Sequence, residues 1–182
     1  MTSLIELPEF TAEAFRDFDG TEVVMTAEMV LFWKPPNPFG QWTPSPFVIE
    51  GENYHCAEQF MMAEKARLFG DTEIARQIMG CQDPRKHKKL GRQIENFEES
   101  RWAEQRCNIV FRGNVAKFEQ NEELKNWLLQ TGTRRLVEAS PIDRIWGIGL
   151  AADHPDAYDP KRWRGLNLLG ETLERVREHL FS

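Results

Sequence analysis

Glu58 and Lys65 lie seven residues apart in YHCAEQFMMAEKA, residues 54–66. On an α-helix that separation is two turns, about 10 Å along the axis, so an acid and an amine share one face. Such a pair can move protons, and a neutral amine can also attack an electrophilic carbon. The rest of the segment (Ala57, Phe60, Met61) has the spacing of a core-facing helix. The two charges therefore mark either a solvated face or one wall of a site.

Three other stretches hold residues of the same kind. DPRKHKKLGR, residues 83–92, gathers five of the 23 basic side chains, and its Asp-Pro start leaves free backbone N–H groups at a helix N-terminus, a setting suited to a phosphate. Lys88, Lys89 and Arg92 belong to it. The proline-rich loop KPPNPFGQWTPSP carries Phe39 and Trp42, with Phe47 just after it, and such aromatics either cover the core or stack on a heteroaromatic ring. Residues 136–170 bring Glu138, Asp143, Trp146, Gly147, Gly149 and Asn167 into one connection, more special residues than a plain connector needs. Two glycines there permit close backbone approach, and Trp146 has the choice of stacking on a ligand or wedging into the core.

The elements that must position these residues are mostly helical. Beyond an extension or a short helix around Thr11–Phe18, EVVMTAEMVLFW reads as a strand pair or one bent strand, and FVIEGENY as strand, turn at Gly51, strand. A helix from residue 55 should stop at Gly70, a second capped by Asp71 at Gly80, and a third should start at Asp83-Pro84. Ser100 is the expected cap of a longer helix with Ala103, Cys107, Val110, Phe111, Asn114 and Phe118 along one stripe. A short helix closing at Gly132, a strand at RRLVEAS and a last helix at GETLERVREHL complete the chain. The expected fold is mainly α, of the α+β kind: a single-domain helical bundle with a small antiparallel sheet.

Bulk properties narrow the function classes. The 182 residues suit one domain, and 41% hydrophobic with 29% charged residues is a globular composition. A net charge of −6 argues against an extended nucleic-acid interface. Cys56, Cys81 and Cys107 are odd in number and form no CxxC pair, and the four histidines have no ligand spacing, so neither a disulfide framework nor a zinc site is expected. No apolar run reaches the roughly 18 residues of a membrane span, and a cytoplasmic, membrane-free protein is expected.

FGQWTPSPF, CAEQFMMAEKA, KKLGR, a W…R…V…KF series, LVEASPIDRIWGIGL and WRGLNLLG together resemble the successive motifs of the NADAR, or YbiA-like, family, in its order and over almost the whole chain. The resemblance implies a YbiA-like domain over residues 26–182, preceded by an N-terminal extension of residues 1–25. It also implies an N-glycosidase that works without metal or redox cofactor. Its small-molecule substrate would be a phosphorylated ribosylaminopyrimidine of riboflavin biosynthesis or ADP-ribose on guanine. Gly40 stands where the family commonly has serine, one hydroxyl fewer beside Gln41.

Breaking an N-glycosidic bond requires stabilising positive charge at the ribose C1′ and protonating the departing nitrogen. Under the resemblance Glu58 serves the first need or activates water, with Asp143 or Glu138 as second choice. Lys65 or Lys88 would supply an imine route instead. Trp42, Trp102 and Trp146 would stack on base or sugar, and Lys89 and Arg92 would meet phosphate. Phe39, Gln41, Gly147 and Asn167 complete the expected binding set. A non-catalytic reader of ADP-ribose or a nucleotide would use the same stacking and phosphate groups but has no need of the acid and amine.

Overall fold

The computed structural model describes residues 23–35 and 37–181. The extension or short helix expected around Thr11–Phe18 lies outside them. Strand β2 (Met29–Phe32) is the middle of a three-stranded sheet, between β1 (Val24–Met25) and β5 (Arg135–Glu138). All four β2 residues are buried, as in a strand covered on both faces. Val30, Phe32 and Leu136 join the larger core, while Met29, Leu31 and Val137 pack with Ile148, Leu150 and Ala157 in a second, smaller one. Val24 and Met25, the end of the expected extension, are thus part of the sheet.

The sheet is mixed, which corrects the expectation of an antiparallel one. β1 and β2 are antiparallel, but β2 and β5 run parallel, from Met29 opposite Arg135 to Phe32 opposite Glu138. A parallel pair needs a long crossover, and here the connection contains five helices and a separate hairpin. In that hairpin β3 (Phe47–Ile49) pairs antiparallel with β4 (Glu52–Tyr54). Glu50 and Gly51 both have positive φ, 53° and 81°, the geometry of a two-residue turn that matches strand twist.

The helices follow their sequence punctuation. α1 spans Ala57–Leu68, α2 Thr72–Met79, α3 Pro84–Gly91, α4 Glu99–Glu119, α5 Glu122–Gln130 and α6 Leu168–Phe181. Asp71 caps α2 by accepting from the Ile74 N–H, and Asp83 caps α3 by accepting from Arg85 N–H, with Pro84 at the first helical position. Ser100 is not the α4 cap: that helix begins at Glu99, and the Ser100 hydroxyl donates to Glu98 instead. α1 is the central helix, buried from Ala57 to Ala63 and again at Ala66. α4 lies close against it at Gly113, where a Cβ would come within 2.5 Å of the Phe60 ring.

Candidate active site

One face of α1, the end of α3, the proline-rich loop and the loop after β5 surround a cavity of about 400 Å³. That size falls in the range of small-molecule sites. Glu58 and Lys65 both line it, as helical spacing required, and Met61 and Met62 form apolar wall between them. Lys88 and Arg92 reach it from α3 and its end, one turn apart. Gln41 and Trp42 enter from the loop, Trp102 from α4, and Glu138, Asp143 and Trp146 from β5 and the loop beyond. With Leu169 at the start of α6, six segments far apart in sequence thus converge on one space.

Glu58 is 4% exposed, and burial pushes its carboxyl pKa up to about 7. Lys88, Lys65 and a hydrogen bond from the Trp42 indole oppose that rise, whereas Asp143 adds to it. Glu138 goes further: desolvation, then the nearby Asp143 and Glu58 charges, raise it to about 8 against the pull of Lys88. Its Oε2 is shut off from solvent and receives no hydrogen bond from the described residues. Two acids thus hold protons near neutrality, one of them with an oxygen left unsatisfied.

The expected amines differ in their surroundings. Lys65 Nζ donates to the Gly91 carbonyl at 3.0 Å and lies 4.2 Å from the Phe97 ring centre. Burial lowers its pKa. Lys88 Nζ is 3.8 Å from Asp143 and 6.0 Å from the Trp42 ring centre. Asp143 is partly spent on its own loop, since Oδ1 accepts from the Ile145 and Trp146 N–H groups at 2.9 Å each. It therefore shapes the loop that carries Trp146 and leaves Oδ2 for Lys88.

Four of the expected binding residues lie outside the cavity wall. Phe39 is fully buried edge-on to Phe32, 5.5 Å between ring centres, so it belongs to the core. Phe47 packs likewise against Tyr54 and Phe60. Lys89 is exposed, because the next residue along a helix turns about 100° away from Lys88. Gly147 permits close approach of backbone to backbone: a Cβ there would meet the Glu138 carbonyl at 2.8 Å. Asn167, at φ 55°, is fully buried and accepts from the Glu138 N–H while donating to the Leu136 carbonyl, 2.9 Å each. Its contacts support Glu138 from behind.

Trp33, Lys34, Ser140, Ile142, Ile145 and Leu169 also line the cavity. Their types carry no signal of a site until the fold assembles them. Among the described residues no group of three or more His, Cys, Asp or Glu side chains is arranged to hold a metal ion. No described helix is long and apolar enough to cross a membrane.

Known proteins share the sequence pattern and the fold of this chain. The NADAR domain model matches residues 31–181. N-glycosidase R617 of Acanthamoeba polyphaga mimivirus is 46% identical over 145 residues, 77% of this chain and 85% of that protein. Protein irg-1 of Caenorhabditis elegans is 38% identical over 173 residues, covering 86% and 82%. N-glycosidase YbiA of Escherichia coli K12 is 26% identical over 160 residues, covering 86% and 91%. The NMR structure of the E. coli protein YbiA superposes with a TM-score of 0.71 at 25% identity, over 87% of this chain and 88% of that one. A helical domain with the motifs in order, a shared fold and a family match across most of its length, this chain belongs to the NADAR family.

Proposed function

We propose that the protein is an N-glycosidase that hydrolyses the bond between a ribose C1′ and a nitrogen carried by a heterocycle, in a phosphorylated substrate. The observation that carries the reading is the pair of desolvated acids, Glu58 and Glu138, sharing one cavity with lysines and tryptophans. Relatives named N-glycosidase support the same reaction class.

The environments of the two acids divide the work between them. Glu58 has the Trp42 hydrogen bond and Lys88 to favour its carboxylate, whereas Glu138 has an oxygen with no donor and keeps its proton to higher pH. Glu138 donates that proton to the leaving nitrogen as the C1′–N bond breaks. Glu58, ionised, faces the cationic C1′ and takes a proton from the water whose oxygen forms the new C1′–O bond. The products are the released base and the phosphorylated ribose, as ribose phosphate or ADP-ribose, with a hydroxyl at C1′. Trp42, Trp102 and Trp146 supply ring faces for base and sugar, and Arg92 with Lys88 supplies charge for phosphate. A ribosylaminopyrimidine phosphate of riboflavin biosynthesis and ADP-ribose on guanine both present this bond beside phosphate, and both belong in the substrate panel. The protein is proposed to work in the cytoplasm without a cofactor.

Purified protein incubated with that panel should release free base, detected by mass spectrometry. Glu58→Gln should lower kcat by about a thousandfold or more while substrate still binds in calorimetry. Wild-type turnover in that variant removes Glu58 from the reaction. ADP-ribose binding with no base release from any substrate supports the non-catalytic reader instead. Borohydride added during turnover separates the routes: a substrate-derived mass adduct on Lys65 or Lys88 replaces direct water attack with an imine.

A further inference from the structure

The proline-rich loop has no regular structure, yet side chains from one face of α4 grip it firmly. Lys117 is fully buried, and its Nζ donates to the carbonyls of Pro38 at 2.7 Å and Gly40 at 3.0 Å. Three residues earlier, on the same helix face, the buried Asn114 amide exchanges two hydrogen bonds with the Gln41 amide, at 3.1 and 3.2 Å. Asn114 Nδ2 is itself held by the Val110 carbonyl at 2.8 Å. Consecutive parts of the loop are thereby fixed from a single helix.

The far side of the same loop meets the acid. The Glu58 N–H, one of the donors left open at the start of α1, gives its hydrogen bond to the Gln41 carbonyl at 2.9 Å. Cys56, at the cap position, supplies no side-chain bond, so the loop carbonyl takes over that duty. The next residue is Trp42, whose indole donates to the Glu58 carboxyl. The chain of contacts runs from Lys117 and Asn114, through residues 38–42, to both the backbone and the carboxyl of Glu58.

A buried amine is a poor choice if packing alone is at stake. Methionine would fill similar volume with no polar group to desolvate. Burial lowers the Lys117 pKa to about 7, and the Cys56 thiol is the titratable neighbour that opposes this. A neutral amine has two N–H donors, and two carbonyls face it, so the grip survives loss of the charge.

We infer that Lys117 and Asn114 are positioning residues: they hold the loop at residues 38–42 so that Trp42 and the Gln41 carbonyl keep Glu58 in its working orientation, without touching substrate themselves. The inference rests on Glu58 acting in the cavity, as proposed above. Its test does not depend on substrate. Carbon-13 carboxyl NMR follows the titration of Glu58 in wild type, Lys117→Met and Asn114→Ala, the resonance being identified by its absence in Glu58→Gln. Loosening the loop withdraws the indole bond that favours the carboxylate. Glu58 should therefore titrate about half a pH unit or more higher in both variants. Where turnover is measurable, the acid limb of kcat should move the same way, with kcat about tenfold lower.

Glu58 titrating as in wild type in either folded variant overturns the inference. Should Lys117→Met fail to fold, Asn114→Ala decides alone, since it leaves the Lys117 contacts in place. A shifted Glu58 in a protein that releases no base from any substrate upholds the positioning role and removes the glycosidase reading.

Discussion

Glu138 is where burial and chemistry conflict. In the unfolded chain its carboxyl titrates in the ordinary range near 4.3, whereas in the folded protein it is raised to about 8. Between those values the folded state holds a proton that the unfolded state has released, so this group's contribution to stability falls as pH rises and is fully lost above the folded pKa. Glu138→Gln removes the titration. The variant should match wild type in unfolding free energy near pH 4 and exceed it at pH 9 by about 1–3 kcal/mol, allowing for partial exposure of the side chain. Urea unfolding at the two pH values checks this, and an unchanged difference between them counts against the raised pKa. In activity the same substitution removes the proposed proton donor. Wild-type kcat should trace a bell, rising as Glu58 ionises near pH 7 and falling as Glu138 ionises near pH 8, the two apparent values belonging to the interacting pair.

At the scale of elements, the junction of β5 and α6 decides where Glu138 sits. β5 pairs with β2 on one side only. On its other side the helix supplies the partners: Glu174 accepts from the Leu136 N–H at 2.8 Å, and Asn167 accepts from Glu138 and donates to Leu136. Asn167→Ala loses two buried hydrogen bonds and places alanine at φ 55°, so it should cost about 2–4 kcal/mol in urea unfolding. Asn167→Gly relieves the backbone and should recover about 1 kcal/mol of that loss, without restoring activity. Equal stability of the two variants would mean that φ contributes nothing here.

At the scale of the whole molecule, the charge distribution opposes the net charge. The chain carries −6 overall, while Lys34, Lys65, Lys88 and Arg92 line the cavity and outnumber its acids, Glu58, Glu138 and Asp143. A local positive mouth on an acidic body attracts a small anion and repels a polyanion that must lie across the surrounding surface. kcat/KM for a phosphorylated substrate should fall roughly three- to tenfold between 50 and 500 mM salt, and for its dephosphorylated counterpart stay within about twofold. Stopped-flow or steady-state assays across that salt range test it. Equal salt dependence for the two substrates would place the phosphate away from these side chains.

The helical frame was legible in the residues alone, because caps and breakers act locally. Asp71, Asp83-Pro84, Gly70 and Gly132 set helix ends through neighbours within one turn, and the spacing of Glu58 and Lys65 fixed their common face before any packing was known. Residue types and motif order were enough to suggest a family and a reaction. Which way each loop aromatic turned, Phe39 and Phe47 inward and Trp42 to the cavity, was set by the folded structure's packing. It alone made β2 and β5 parallel, and it alone gave Lys117 a purpose, through contacts with Pro38 and Gly40, 79 and 77 residues away. The physical reason is desolvation. Whether an acid keeps its proton, or an amine can be buried, depends on which distant segments exclude water from it, and that exclusion exists only once the chain has closed around the site.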